Sequence, residues 1–182
     1  DDWRPTGASI GGVEQADSLR DTYLDWLTYE ALQLKFIPGR FAIDTAHGAA
    51  TYIIEELARR CGWDVELLGN SPNGLNINEG SGVMYLDHLA QHILSQRLDF
   101  GFAFDGDADR VLFVDGQGRT IDGDIILWVL ARWVAMHETS RSGAVATVMS
   151  NMALEEQLEK ENIPVIRCPV GDRYVLSEMN RN

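Results

Sequence analysis

An acidic loop held between two short apolar segments constrains the fold of this chain most. One apolar run ends at Phe104, the hexapeptide DGDADR occupies residues 105–110, and a second apolar run covers Val111–Val114. Short apolar runs bounded by turn residues are typical of buried strands. The segment therefore predicts two strands of a sheet that hold a polar loop between them.

The loop carries three carboxylates at alternate positions, Asp105, Asp107 and Asp109. The residues between them, Gly106 and Ala108, are small, so the backbone can curl and bring the three side chains to one point. Three close carboxylates repel one another strongly unless a cation lies among them. Hard oxygen ligands favour Mg²⁺, Mn²⁺ or Ca²⁺ over zinc. We therefore predict a metal site, with Mg²⁺ as the cofactor.

Three other kinds of acidic loop share part of this pattern. A calcium EF-hand needs Gly at its sixth position and Glu at its twelfth, where this chain has Arg110 and Gly116, so it is excluded. A phosphatase of the haloacid dehalogenase type would use Asp105 as its nucleophile, but would not need the third Asp or the Arg. A solvated turn whose Asp side chains cap backbone N–H groups is the third interpretation. The last two stay open.

Five further segments accompany the acidic loop along the chain. They are AIDTAHGAA (42–50), NGLNINE (73–79), IDGD (121–124), TVMSN (147–151) and VGDRYV (170–175). Together with the loop they resemble the α-D-phosphohexomutases, and in particular the phosphoglucosamine mutase branch. Their order and spacing cover nearly the whole chain, which makes the resemblance specific.

The resemblance implies a fold, a reaction and missing parts. Such enzymes have four domains, the first three built on a mixed sheet between helices. They interconvert hexose 1- and 6-phosphates through a bisphosphate, with a phosphoserine on the first domain. For this branch the sugars are glucosamine 6-phosphate and glucosamine 1-phosphate, which lead to a cell-wall precursor. The chain would be the second domain and the start of the third. A phosphomannomutase or phosphoglucomutase, or a non-catalytic metal or sugar-phosphate binding module, remains the alternative.

The resemblance also assigns roles to side chains. Arg110 is the expected catalytic residue, because its guanidinium can orient the transferring phosphoryl group or offset its charge. A salt bridge to one of the three aspartates is its alternative role, and the two roles are compatible. Arg173 in VGDRYV is a candidate substrate contact, and a surface ion pair is its alternative. His47 could donate to a substrate phosphate at a helix start or could be tied to neighbouring backbone. The chain has no serine in a motif for the phosphoserine, so we predict that it is inactive alone and needs the other mutase domains in cis or in trans.

The order of apolar and turn segments predicts an α/β fold in two units. Residues 1–138 should form the metal-binding domain, a mixed sheet between helices with a lead-in helix over Ser9–Ala31 that packs on the sheet. Residues 139–182 repeat the βα pattern and then end, so they predict the start of a second, incomplete α/β unit. Further helices are expected at 51–61, 83–96, about 122–137, about 151–161 and from 172, and strands at 40–44, 65–68, 119–121, 144–149 and 164–167.

The helix after Asp122 is so broadly apolar that burial on more than one side is expected. Asp122 caps this helix in the simplest interpretation, although Asp122 and Asp124 could also support the metal. His88 and His92 lie four residues apart on a helix, but without a third ligand we expect a solvated face. The long polar loop 69–82 could border the site through Asn76, Asn78 and Glu79, or could bond only to itself.

Charge and cysteine content narrow the class of partner. The formal net charge of −13 disfavours nucleic acid and anionic membranes, which both need a basic surface. A small phosphosugar remains possible where local Arg residues and a cation offset the field. The two cysteines, Cys61 and Cys168, lie far apart and are expected to be buried thiols of a reduced, cytoplasmic protein. No apolar stretch approaches the roughly 18 residues of a membrane-spanning helix.

Overall fold

Two β-sheets flanked by helices organise the chain. The computed structural model describes residues 4–12, 14, 16–34, 39–137 and 143–181. In chain order, the helices and strands are α1 (Asp17–Gln33), β1 (Phe41–Asp44), α2 (Thr51–Cys61), β2 (Val65–Leu68), α3 (Leu86–Gln96), β3 (Phe100–Phe104), β4 (Val111–Asp115), β5 (Thr120–Ile121), α4 (Gly123–His137), β6 (Ala144–Thr147), α5 (Met152–Lys160), β7 (Val165–Cys168) and α6 (Asp172–Met179).

The first sheet is mixed. Its strand order is β2-β1-β3-β4-β5, with β1 parallel to both β2 and β3, and with β4 and β5 antiparallel to their neighbours. Asp44, the last residue of β1, is opposite Leu68 of β2 and Ala103 of β3. The carboxyl ends of the three parallel strands therefore meet at one edge. The predicted mixed sheet is confirmed.

Alternate residues of β1 point to opposite faces of this sheet, and each face has its own helix. Phe41 and Ile43 pack against Ala50 and Ile54 at the start of α2. Ala42 instead belongs to a cluster on the other face, whose further buried members are Leu89, Ile93, Leu98, Ala103 and Val114. Fully burying a large aliphatic side chain such as these stabilises a fold by about 1.5–3 kcal/mol. The sheet edge that carries Asp44 is thus held from both sides.

Helix α2 occupies the predicted residues, and Gly62 ends it in the left-handed conformation with φ 65°. Helix α3 begins three residues later than predicted, at Leu86. Val83 lies before the helix, and its N–H donates to the carbonyl of Phe104 at 3.1 Å. The residues before α3 are therefore part of the edge where the strands end.

Helix α1 differs from its prediction in start and in packing. It begins at Asp17 rather than near Ser9, and it packs on α2, where Asp25 forms a 2.6 Å ion pair with Arg60. Leu24 is buried, whereas the predicted inward side chains Leu19, Tyr23, Trp26 and Leu34 are 48–70% exposed. The predicted packing of that side on the sheet is wrong because α2 already covers this face.

The second sheet contains the parallel strands β6 and β7. Leu154 and Leu158 of α5 cover it, and Leu127 and Trp128 of α4 pack on the same cluster. Helix α4 therefore contacts the second unit. The predicted boundary at 138/139 falls within 138–142, outside the described residues.

The expected burial of α4 on more than one side is wrong. None of its residues is fully buried, and the side chains Ile125, Val129, Leu130, Trp133 and Met136 are 42–69% exposed. The apolar surface of α4 is wider than the part of it that packs on the second unit. Across the ranges that the structure describes, no helix combines the length and apolar character that crossing a membrane requires.

Candidate functional site: an acidic hairpin loop

The acidic loop, residues 105–110, connects β3 to β4. These strands are antiparallel, with Phe104 opposite Val111, so the loop is the turn of a β-hairpin. Asp105 N–H donates to the carbonyl of Arg110 at 3.3 Å, and Ala108 N–H donates to the carbonyl of Asp105 at 3.1 Å. Ala108 has φ 62°, a left-handed conformation that a small residue tolerates better than a branched one. The loop is thus closed by its own backbone.

The three aspartates of the loop converge. Asp105, Asp107 and Asp109 each offer a carboxylate oxygen, and these oxygens all lie within 4.8 Å of one another. Asp105 is buried, while the other two are open to solvent. An all-oxygen donor set with one open side suits a hard divalent cation that keeps part of its water shell. The residues present therefore fit Mg²⁺.

Arg110 lies against the same carboxylates. Its Nε donates to Asp105 Oδ2 at 2.7 Å, its main-chain N–H donates to Asp105 Oδ1 at 3.0 Å, and Nε lies 3.4 Å from Asp109 Oδ1. Asp105 thus does cap a backbone N–H, as the solvated-turn interpretation required. The Arg110 side chain is nevertheless 70% exposed, so its remaining N–H groups can reach a ligand.

The pKa values of two loop aspartates move in opposite directions. Burial by itself raises the pKa of Asp105, but hydrogen bonds from the main chain and guanidinium of Arg110 outweigh it, so that pKa lies below its usual range. The pKa of Asp109 is raised because its carboxyl shares a hydrogen bond with Asp105 and lies in the negative field of Asp107 and Asp105. The acids are therefore crowded, which a bound cation would relieve.

The segment after β1 supports the acidic loop from one side. Ala46 and His47 both have positive φ, 54° and 50°, and Ala49 N–H donates to the carbonyl of Gly106 at 2.9 Å. His47 Nδ1 accepts the Ser71 N–H at 3.2 Å, which places the proton of a neutral ring on Nε2. His47 is therefore hydrogen bonded to neighbouring backbone, as one of its two interpretations proposed. Its Nε2–H remains a donor for a ligand.

The loop 69–82 supports it from the other side. A Cβ at Gly106 would lie 2.6 Å from Ile77 and 2.9 Å from Asn78 Nδ2, so these side chains pack directly on the acidic loop. The side chain of Asn76 forms hydrogen bonds within its own loop: Oδ1 accepts from Asn73 N–H, and Nδ2 donates to the carbonyl of Ser71. Asn78, one of the three residues predicted to border the site, therefore lies against the acidic loop.

Comparison with known proteins assigns the chain to a family. Residues 21–118 match the family model described as phosphoglucomutase/phosphomannomutase, alpha/beta/alpha domain II, and residues 122–182 match the model for domain III. The chain belongs to this mutase family. The resemblance drawn from six segments is thus confirmed.

Curated relatives within the mutase family are named phosphoglucosamine mutase. The protein of Ectopseudomonas mendocina is 44% identical over 173 residues, which cover 94% of this chain and 39% of the relative. The protein of Streptomyces coelicolor is 42% identical over 180 residues, which cover 98% of this chain and 40% of the relative. The chain therefore spans about two fifths of the length of these relatives.

Solved mutase structures share the fold. A phosphoglucomutase/phosphomannomutase family protein from Burkholderia thailandensis superposes with a TM-score of 0.73 at 18% identity, covering 90% of this chain and 36% of that one. The N-acetylphosphoglucosamine mutase of Aspergillus fumigatus, in complex with GlcNAc-6P and magnesium, gives 0.70 at 22% identity, covering 89% and 35%.

The remaining sequence candidates lie elsewhere in the mutase fold. Arg173 is on α6 of the second unit, where its guanidinium lies over the ring of Tyr174 and donates to the hydroxyl at 3.0 Å. Asp122 accepts from Ile125 N–H at 2.9 Å and caps α4, and Asp124 accepts from Asn151 N–H. These contacts account for both acids without the metal.

The imidazole of His92 is not simply solvated. Its Nε2 lies 2.6 Å from a carboxylate oxygen of Glu66 on β2. The expected solvated face of α3 is therefore wrong at this position, since β2 supplies a partner from 26 residues away. This pair lies among the helix and strand contacts of the first sheet and is separate from the acidic loop.

Three residues around the acidic loop were missed by the sequence analysis. In the sequence, Asp44 ends a predicted strand, Ser81 lies in the loop 69–82 and Gly48 lies in the segment 42–50, and none of the three was given a role of its own. Asp44 and Ser81 are both buried and hydrogen bonded to each other, and a Cβ at Gly48 would collide with the backbone of Gly106. An acid after a wholly apolar strand, followed by small residues, is the signal that could have indicated Asp44.

Proposed function

We propose that this chain is the metal-binding part of a phosphoglucosamine mutase, which interconverts glucosamine 6-phosphate and glucosamine 1-phosphate through a bisphosphate. The observation that carries the proposal is the acidic hairpin loop, with three carboxylate oxygens within 4.8 Å beside an exposed guanidinium. The choice of sugar rests on the relatives named phosphoglucosamine mutase, at 44% and 42% identity.

Asp105, Asp107 and Asp109 would hold Mg²⁺. A bound cation would neutralise negative charge on the transferring phosphoryl group. Because Mg²⁺ dehydrates reluctantly and commonly completes its shell with a phosphate oxygen, we expect weak binding to this chain alone. The magnesium in the Aspergillus fumigatus mutase structure supports the choice of ion.

Arg110 would bind the phosphoryl oxygens. Its hydrogen bond to Asp105 raises its pKa further, so the guanidinium stays charged and is held by one edge while the other edge faces solvent. A planar guanidinium held in this way can donate two parallel hydrogen bonds to phosphate. This geometry supports the proposal that Arg110 orients the group in transfer.

His47 and Arg173 would contact the substrate. His47 presents Nε2–H from the segment that supports the acidic loop, and a hydrogen bond to Ser71 fixes the ring. Arg173 comes from the second unit, at the start of α6. A phosphosugar must be held at two ends, so contacts from two units suit it.

The nucleophile and the rest of the sugar site would come from outside these residues. We propose that a phosphoserine on another mutase domain, in cis or in trans, donates and accepts the phosphoryl group. We further propose that the first unit includes the mixed sheet and α1 and ends before α4, whose packing favours the second unit, in place of the predicted end at residue 138. Neither nucleic acid nor a membrane is a proposed partner, and the proposed location is cytoplasmic.

A metal titration tests the proposed site. Calorimetry with MgCl₂ is expected to show saturable binding to the wild-type chain and about tenfold weaker binding, or none, to Asp107→Asn. Asp107 is exposed, so this change should not disturb the fold. The matched control is Asp87→Asn, an acid in the first turn of α3, which should bind Mg²⁺ as the wild type does. Unchanged affinity in Asp107→Asn would contradict the site.

An activity test addresses the substrate. The complete enzyme is expected to turn over glucosamine 1-phosphate with a higher kcat/KM than glucose 1-phosphate or mannose 1-phosphate. A clear preference for mannose 1-phosphate would favour a phosphomannomutase. Metal binding without turnover of any hexose phosphate, even with all mutase domains supplied, would favour a non-catalytic binding module.

A further inference from the structure

We propose that Asp44 is a positioning residue for the acidic loop, and that the hydrogen bonds to its carboxyl group set the place of the three aspartates proposed to bind the metal. The inference rests on the proposed metal site. Asp44 is fully buried at the carboxyl end of β1, beside the strand that leads into the loop. It contacts neither metal nor substrate in this proposal and acts only through backbone that it holds.

The carboxylate of Asp44 accepts three hydrogen bonds. Oδ1 accepts from Ala46 N–H at 2.9 Å and from the hydroxyl of Ser81 at 2.5 Å, and Oδ2 accepts from Gly82 N–H at 2.8 Å. Ala46 lies in the segment after β1, whereas Ser81 and Gly82 end the loop 69–82. One buried side chain therefore joins the two segments that border the acidic loop.

Both segments reach the acidic loop through their backbone. From the first, Ala49 N–H donates to the carbonyl of Gly106 at 2.9 Å. From the second, Val83 N–H, directly after Gly82, donates to the carbonyl of Phe104 at 3.1 Å, one residue before Asp105. The segments are also joined to each other, because Asn78 N–H donates to the carbonyl of Ala46 at 2.8 Å. Hydrogen bonds from the two segments therefore hold the backbone on both sides of Asp105.

The arrangement requires a carboxylate. Three donors converge on two oxygens, and hydrogen bonds to an ionised acceptor are roughly twice as strong as neutral ones. An asparagine at position 44 would have one acceptor oxygen, so its NH₂ group would face an N–H or O–H donor. A buried donor left without an acceptor destabilises its local conformation. The two segments would then separate.

The surroundings leave no room for the segments to settle elsewhere. A Cβ at Gly69 would collide with both Ser81 Oγ and Asp44 Oδ1 and would lie 3.0 Å from Ala46 N. The cluster is therefore close-packed on the side of β2. When the bonds to Asp44 weaken, we therefore expect the two segments to shift away from β2, and the acidic loop that they hold to shift with them.

A structural role alone and a positioning role predict different measurements. If Asp44 only stabilised the fold, its replacement would lower the free energy of unfolding and leave the folded protein with normal Mg²⁺ affinity. If it positions the loop, affinity falls in the folded protein as well. Residues that orient metal ligands typically alter metal affinity by about 10–100-fold when replaced.

The experiment compares three variants of the chain. Asp44→Asn is expected to weaken Mg²⁺ binding about tenfold or more, and Ser81→Ala by a smaller factor, in calorimetry on samples that circular dichroism shows to be folded. The control is Asp99→Asn. Asp99 accepts a backbone N–H from Arg40 at 2.9 Å, but at the opposite edge of the same sheet, so its replacement should leave Mg²⁺ affinity unchanged.

The outcomes separate the inference from the site on which it rests. Wild-type affinity in both folded Asp44→Asn and Ser81→Ala would overturn it, and Ser81→Ala alone decides if Asp44→Asn fails to fold. A wild-type chain without Mg²⁺ binding would refute the metal site instead. In that case, hydrogen exchange tests the positioning role of Asp44. Faster exchange of amides 106–110 in Ser81→Ala, with unchanged exchange in the β3–β4 ladder, would support this role, and unaltered exchange of these amides would overturn it.

Discussion

Replacing Gly48 with alanine is expected to push the acidic loop away from the segment after β1. A Cβ at Gly48 would lie 2.8 Å from both Cα and the carbonyl carbon of Gly106, and closer still to its oxygen. Real Cβ atoms do not approach backbone so closely, and backbone, unlike the end of a flexible side chain, cannot rotate aside. The two segments must therefore separate, which also strains the hydrogen bond from Ala49 N–H to the carbonyl of Gly106.

The size of the effect follows from the cost of overpacking. Forcing a methyl group into a closely packed site typically costs about 1–3 kcal/mol. For a chain of this length, each kcal/mol lowers Tm by roughly 2–4 °C. We therefore expect Gly48→Ala to lower Tm by about 2–12 °C. Because the displaced partner is the acidic loop itself, Mg²⁺ affinity should fall together with Tm.

The assay combines thermal unfolding followed by circular dichroism with a Mg²⁺ titration of the folded protein. Gly123→Ala is the matched control, because nothing lies within 4 Å of a Cβ at Gly123, the first residue of α4. That variant should be neutral or slightly stabilising, since alanine is the better helix former. A Gly48→Ala protein with wild-type Tm and wild-type Mg²⁺ affinity would refute the reasoning.

Three further outcomes are expected. Hydrogen bonds from Arg59 and Arg60 lower the pKa of Glu56 to about 2. The stability of Glu56→Gln should therefore equal that of the wild type near pH 2 and fall below it as the pH rises toward the usual pKa of 4.5. A difference in urea unfolding that stays constant across this range would contradict the prediction. Arg110→Lys should lower kcat of the complete mutase at least about tenfold while Mg²⁺ affinity changes little, and equal kinetics would exclude the forked contact. The 182-residue chain alone should show no mutase turnover in a coupled assay with Mg²⁺ and bisphosphate, and activity that Asp105→Ala abolishes would reveal an unrecognised nucleophile.

The parts of the fold that were predictable are those decided by local sequence. Helix α2 and strand β2 have the predicted bounds, because an apolar periodicity, a terminating glycine and a short apolar run coincide there. The mixed sheet followed from the resemblance. The convergence of three aspartates followed from their alternate spacing around small residues.

The parts that could not be predicted depend on partners distant in sequence. The face of α1 was misjudged because apolar residues occur on several sides of this helix, and only α2 decides which of them is buried. His92 pairs with Glu66 on another element, and Val83, the residue predicted to start α3, instead bonds to the end of β3. Asp44 was overlooked for the same reason, since its partners Ser81 and Gly82 are 37 and 38 residues away.

The hairpin that carries the acidic loop also affects the order of folding. β3 and β4 are joined by six residues, whereas β1 must find β3 across an intervening helix, strand and second helix. Hairpins form in roughly 1–10 μs, and non-local parallel pairing is slower because chain entropy is lost before contacts form. We therefore expect the three aspartates to come near one another early, and the carboxylate of Asp44 to engage only when β1 and the loop 69–82 arrive. On this order, the three aspartates proposed to bind the cation would assemble before their support does, and the last stage of folding would refine the site rather than create it.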